Sequence, residues 1–175
     1  MLPKTQKRDS ICKRRPIDSN CQAVTEKVSK YLNTILNPLV RKEPHCLIST
    51  DHFIREFETI ISSIPRNCQI VTLDIEQLYT NIPTEMRISA CKSKLEAAGI
   101  EASEVYKISE LLRITLTGNI FMFNNRYWHQ TQGTAMGTPM APSYSNLFLS
   151  ELETRLINQT ETRPWWWHLR FNFIF

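Results

Sequence analysis

Asp74 is the acid whose surroundings call for an explanation. It follows Ile70-Val71-Thr72-Leu73 and precedes Ile75, an apolar, β-branched run that reads as a short strand buried on both faces. A buried, ionised carboxylate costs several kcal/mol unless a partner offsets it. At a strand end that partner can be a metal ion or a cationic ligand; an ordinary core strand would instead let its acid reach solvent. Tyr79 follows five residues later, before Asn81-Ile82-Pro83 closes the segment. Far downstream, Gly133 and Gly137 are two of the four glycines of the chain. A loop built on them can bring bare backbone against a ligand, or can merely join two elements. The third set is cationic: Lys4, Lys7, Lys13, Arg14 and Arg15 crowd the start of the chain. Such groups suit phosphate, and the arginine fork matches phosphate oxygens two at a time.

Charge is distributed unevenly. Residues 1–42 hold ten Lys and Arg against three acids, about +7, so the remainder of a chain of net charge +4 is about −3. A basic arm on a near-neutral body points to nucleic acid, with affinity that falls steeply with salt; a solvated basic terminus or a receptor-read targeting tail would share that composition. The five cysteines, Cys12, Cys21, Cys46, Cys68 and Cys91, are odd in number and show no zinc-ligand spacing. They imply neither a disulfide scaffold nor a zinc site, and an intracellular, reducing compartment follows. No apolar run is long enough to cross a membrane. At 175 residues the chain can bury one real core.

The elements that must position these residues follow from periodicity. Val24, Val28, Tyr31, Leu32, Ile35 and Leu36 predict a helix with one buried stripe, ended or kinked by Pro38. Ser49 or Thr50 caps a second, with Phe53, Ile54, Phe57, Ile60, Ile61 and Ile64 as its apolar face. Pro83 opens a third that Gly99 closes, and a fourth covers about 103–117. Asn124-Asn125 joins Ile120–Phe123 to 126–130 as a two-residue hairpin. A last helix, about 143–158, carries Tyr144, Leu147, Phe148, Leu152 and Leu156 inward. Ahead of all of these, Pro3 and Pro16 argue for two short extended segments rather than a helix.

Three blocks in order resemble the reverse transcriptases of Penelope-like retroelements, a group akin to telomerase. Leu2-Pro3-Lys4 with Arg15-Pro16-Ile17 looks like the fingers motifs. Thr72-Leu73-Asp74 through Leu78-Tyr79-Thr80-Asn81-Ile82-Pro83 looks like the first palm motif. Gln132-Gly133 through Pro142, followed by Ser143-Tyr144-Ser145-Asn146-Leu147, looks like the second. The resemblance implies an α+β fold, a partial right-hand polymerase with a small antiparallel sheet flanked by helices. Residues 1–42 would be a basic fingers remnant and 43–175 an incomplete palm, with the upstream fingers, the thumb and the family's GIY-YIG endonuclease outside this chain.

The same resemblance implies chemistry. An RNA-directed DNA polymerase joins deoxynucleoside triphosphates to a DNA primer on an RNA template, with two Mg²⁺ or Mn²⁺ ions supporting the in-line transfer. Asp74 would bridge the ions and Ile75 would add its backbone carbonyl. Arg15 would hold the incoming phosphates, Tyr79 would exclude a ribose 2′-hydroxyl, and Gln132 and Gly133 would line the nucleotide pocket. Lys4, Lys13 and Arg14 would contact nucleic acid. Arg15 on a solvated hairpin and Tyr79 packed under the following helix are the plainer alternatives. Asp74 is expected within reach of the Gly133–Gly137 loop, with Tyr79 on the same side, and the protein in the nucleus.

One departure stands out. The family's Tyr-x-Asp-Asp turn should follow the last helix, yet Leu169-Arg170-Phe171-Asn172-Phe173-Ile174-Phe175 occupies that place and no Asp follows Asp74. The chain is therefore expected to be inactive alone, and the Asp74 strand to lack a neighbour and expose an edge. A non-catalytic nucleic-acid-binding remnant, or a fragment of a decayed element, is the alternative. Trp165-Trp166-Trp167 would form an exposed apolar patch rather than a base-stacking platform.

Overall fold

The structure, a computed structural model, describes residues 23–73, 75, 78–81, 83–131 and 133–170, and the backbone of two short strands at 2–3 and 14–15. Those strands, β1 (Leu2–Pro3) and β2 (Arg14–Arg15), pair antiparallel with Leu2 opposite Arg15. This agrees with the two extended segments expected there. Lys4, Lys7 and Lys13 lie outside the described residues.

Helices make the core. α1 (Glu26–Lys42) buries Leu32, Leu36 and Val40, one residue per turn on a single face. Pro38 does not end the helix, which continues to Lys42, with Leu36 and Val40 on either side of the proline both held in the core. Val24 precedes the helix and is exposed, and Tyr31 lies on the outer face, so the expected stripe begins later than its spacing suggests. α4 (Thr84–Ala97) and α5 (Ala102–Thr117) form an antiparallel pair. Gly99 turns the chain between them at φ +78. There Ile100 N–H donates to the Leu95 carbonyl and Gly99 N–H to that of Glu96, closing the left-handed cap that glycine allows without strain.

α6 (Ala141–Gln159) is the central helix, packed against both α1 and α4. Tyr144 and Leu147 are wholly buried in it, beside Cys91 and Leu95 of α4 and Leu112 of α5. Each such leucine contributes about 1.5–3 kcal/mol of burial. Leu156, expected inward, is exposed on the final turns of α6, past the point where α1 and α4 cover it. The whole arrangement is α+β.

The strands are short and scattered. β4 (Ile120–Phe123) and β5 (Arg126–His129) form the expected hairpin, with Asn124 and Asn125 at φ 54 and 56. Both residues are left-handed, as a two-residue turn of the twist-matching kind requires. β3 (Cys46–Leu47) pairs parallel with β6 (Leu169–Arg170).

Two expectations fail here. The run at 70–73 is not a buried strand: Ile70 is 87% exposed, Val71 71% and Leu73 91%, and none belongs to a strand. Propensity makes a run fit a pleated surface but supplies no ladder. No described strand lies alongside to provide one, so the lack of a neighbour goes further than an exposed edge. The second failure is α2 (Thr50–Ile60). Ser49 caps it as expected, its Oγ accepting from His52 N–H at 3.1 Å, but no residue of the helix is fully buried. Its Phe53 and Phe57 instead meet Trp166, with ring centroids 5.8 and 6.1 Å away, while Trp167 lies 4.1 Å from His45. Of the three tryptophans only Trp165 projects as an exposed patch; the other two cover the outer face of α2 and the turn before β3.

Candidate functional site

The segment at Leu78–Tyr79 and the loop at Gly133–Thr134 meet at one buried arginine. Arg87 lies in the first turn of α4 and is wholly inaccessible to solvent. Its Nη2 donates to the carbonyls of Leu78 at 2.8 Å and Tyr79 at 3.0 Å, both in the short helix α3 (Leu78–Asn81). Its Nη1 donates to Thr134 Oγ1 and to the Tyr144 hydroxyl. The guanidinium also sits 5.3 Å from the centroid of the Tyr144 ring, a distance at which the ring face attracts a cation. No carboxylate among the described residues pairs with it. A buried cation is tolerable only when its N–H groups are taken up, and here only Nε has no partner.

The backbone completes the junction. Thr134 N–H donates to the Tyr79 carbonyl at 2.7 Å, so that one oxygen receives both the second block's amide and the arginine. Gly133, immediately before Thr134, is buried at φ 74. A left-handed residue there lets the loop turn into Tyr79 without a side chain in the way. Gly137 at φ 136 makes the next bend before α6. Both phenols stay neutral: burial foremost raises the Tyr79 and Tyr144 pKa values, against the opposing pull of Arg87. As neutral hydroxyls they accept from or donate to neighbours but carry no charge to balance the guanidinium.

The structure thus brings together Tyr79, half-buried, and the Gly133 loop, two of the positions the sequence singled out. Asp74 and Gln132 lie outside the described residues, so the expected reach from Asp74 to the loop has no structural account. Ile75 is 46% exposed. Arg14 and Arg15 are placed only as backbone in β2. Arg87 is what the sequence reading passed over; Tyr144 was expected inward and Thr134 lay within the second block, but neither was given a part in the site. A signal was available: Arg87, Cys91 and Leu95 recur four residues apart, and all three are buried. That phase would have shown the arginine facing the core.

A second polar cluster lies across α4. Lys94 Nζ pairs with Glu43 Oε2 at 2.7 Å, and the Ser150 hydroxyl donates to the same oxygen. It ties the end of α1 to α4 and α6. Nearby, burial raises the Glu153 pKa.

Residues 3–171 match the model of the family described as reverse transcriptase (RNA-dependent DNA polymerase). The chain belongs to the reverse transcriptase family. No curated protein and no solved structure matches it.

As a reverse transcriptase domain it belongs to enzymes that act on a nucleic-acid template and primer with deoxynucleoside triphosphates, and that use divalent metal ions. Among the described residues no group of three or more His, Cys, Asp or Glu is placed to hold an ion. Those residues alone therefore do not fit a divalent-metal centre. What they build is an aromatic at Tyr79 and a bare glycine turn at Gly133, locked together by Arg87. No described helix is long and apolar enough to cross a membrane.

Proposed function

We propose that this chain is the reverse transcriptase domain of a Penelope-like retroelement, an RNA-directed DNA polymerase by lineage whose 175 residues do not complete a catalytic centre alone. The observation that carries the reading is the bond from Thr134 N–H to the Tyr79 carbonyl. It holds the Tyr79 segment against the Gly133 loop, and that closeness supports reading the two as the walls of one nucleotide pocket. On this reading Tyr79 excludes the ribose 2′-hydroxyl, and Gln132 and Gly133 line the nucleotide. Arg15 takes its phosphates, and Asp74 with the Ile75 carbonyl supplies one share of the metal ligands. Lys4, Lys13 and Arg14 contact the RNA template or DNA primer. The same reading expects the protein in the nucleus.

A hard divalent ion wants several oxygen ligands placed together. No Asp follows Asp74 in this sequence, and Glu151 and Glu153 ride on the middle of α6, in no group of described residues that could hold an ion. This observation also favours a second reading, a nucleic-acid-binding remnant without catalysis. A primer-extension assay separates the cases, with the purified chain, an RNA template, and Mg²⁺ or Mn²⁺. The expected result is no extension. Extension above background that is lost in Asp74→Ala would overturn the inactivity and show that another carboxylate completes the site.

A further inference from the structure

Two stripes run down α1 side by side. Leu32, Leu36 and Val40 enter the core. Asn33, Asn37 and Arg41, each one residue further on, line a solvent-open cleft of about 110 Å³ between α1, β3 and the first turns of α6. That is smaller than a drug-sized pocket, an open slot with room for one flat ring rather than an enclosed site. No Asp or Glu lines it, and it shares no residue with the Arg87 junction.

The hydrogen bonds inside the cleft give it a polarity. The Ser143 hydroxyl donates to Asn33 Oδ1 at 2.6 Å, and Arg41 Nε donates to Asn37 Oδ1 at 2.9 Å. Both carboxamide oxygens are thereby engaged within the protein. The Nδ2 groups of these two asparagines and the terminal N–H groups of Arg41 are left as donors. Asn146, one turn along α6 from Ser143, adds a third carboxamide. The amino-terminal end of the 19-residue helix α6 lies at the same place and adds partial positive charge. Pro139, Pro142 and the exposed Ile48 supply flat apolar wall. A donor-rich, carboxylate-free slot with apolar sides suits a flat ligand that is rich in acceptors and carries negative charge.

We propose that this cleft holds one nucleotide of a single nucleic-acid strand, with a keto-bearing base against the asparagine donors and its phosphodiester at Arg41. Uracil and thymine present two carbonyl oxygens and no amino group to such donors, whereas adenine has no carbonyl and turns its 6-amino group to them donor to donor. The proposal rests on the nucleic-acid reading above and adds a site and a base preference to it.

The test is fluorescence anisotropy of the full chain with short labelled homopolymers of uridine, thymidine and adenosine across a salt series. The unaltered chain is expected to bind the uridine and thymidine strands more tightly than the adenosine strand. Asn37→Ala and Asn146→Ala each weaken uridine binding by about fivefold to tenfold, the loss of one neutral contact, and leave the salt slope unchanged. Arg41→Ala lowers the log–log salt slope by about 0.7, the share of one single-strand phosphate. These side chains lie at the cleft wall rather than in the core, and matching thermal melts verify that each variant folds. Equal affinity for all three homopolymers, or cleft variants that bind like the unaltered chain, would overturn the proposal while the nucleic-acid reading stands. Failure of the unaltered chain to bind any strand at low salt would overturn both. Similar affinities for the uridine and thymidine strands support recognition of the base; a large preference for uridine over thymidine would add the 2′-hydroxyl to what is read.

Discussion

The Tyr79 carbonyl accepts from Thr134 N–H at 2.7 Å and from Arg87 Nη2 at 3.0 Å. Residues 55 apart in the chain are joined at one oxygen, and the cation that also serves it comes from a third place, the first turn of α4. The geometry of the two palm blocks is therefore only as firm as the burial of Arg87. Four predictions follow from this arrangement and its surroundings, apart from the tests already attached to the function and the cleft.

Arg87→Met should lower the unfolding free energy by about 2–4 kcal/mol: it leaves the Leu78 carbonyl and two hydroxyls without their donor, at about 1–3 kcal/mol each when dry and unpaired, partly offset by removal of a buried charge, while the Tyr79 carbonyl keeps Thr134 N–H. Arg87→Lys should recover less than half of that, because an ammonium cannot span the same fork of acceptors. Urea denaturation monitored by circular dichroism reads both. A loss below about 0.5 kcal/mol in the Met variant, the range of surface substitutions, would show that the junction is not held this way.

Glu153 gives a pH dependence. Burial raises its pKa above the ordinary carboxylate value, so the folded state binds its proton more tightly than the unfolded chain does. The favourable contribution is complete below the unfolded value and is lost as pH rises through the raised folded one. Glu153→Gln should therefore raise the melting temperature at neutral pH and leave it nearly unchanged at acid pH. A variant that melts lower at neutral pH would contradict the burial assigned to this carboxylate.

The exposed run at 70–73 should drive self-association. An apolar, β-branched segment without a ladder partner is a template for another strand. Val71→Lys is expected to reduce concentration-dependent light scattering with little change in melting temperature, because Val71 is 71% exposed and contributes little burial. Unchanged scattering would mean that association, if present, starts elsewhere.

The basic arm should govern bulk affinity. Replacing Lys4, Lys13, Arg14 and Arg15 together with Ala is expected to flatten the salt dependence of single-strand binding, by about 0.7 in log–log slope for each phosphate contact removed. Equal affinity and slope in the four-fold variant would shift the electrostatic footprint to the helical body.

Much of the fold was legible in the residues. The left-handed Gly99 cap, the Asn124-Asn125 hairpin, the Ser49 cap and the helices they bound are local features, decided by backbone sterics and by hydrogen bonds between near neighbours. The order of the palm blocks was equally a property of the sequence, and it led to the family. What the sequence could not supply were outcomes that depend on distant partners. The run at 70–73 has the composition of a buried strand, yet a strand exists only when another lies beside it. The apolar face of α2 was real, but its cover came from Trp166, more than a hundred residues away. The four-residue phase of Arg87 with Cys91 and Leu95 could show that the arginine faces inward, but not what receives it there. Only the meeting of α3, the Gly133–Thr134 turn and Tyr144 of α6 made it a buried hub, since a charge is worth burying only where several acceptors converge from different parts of the chain.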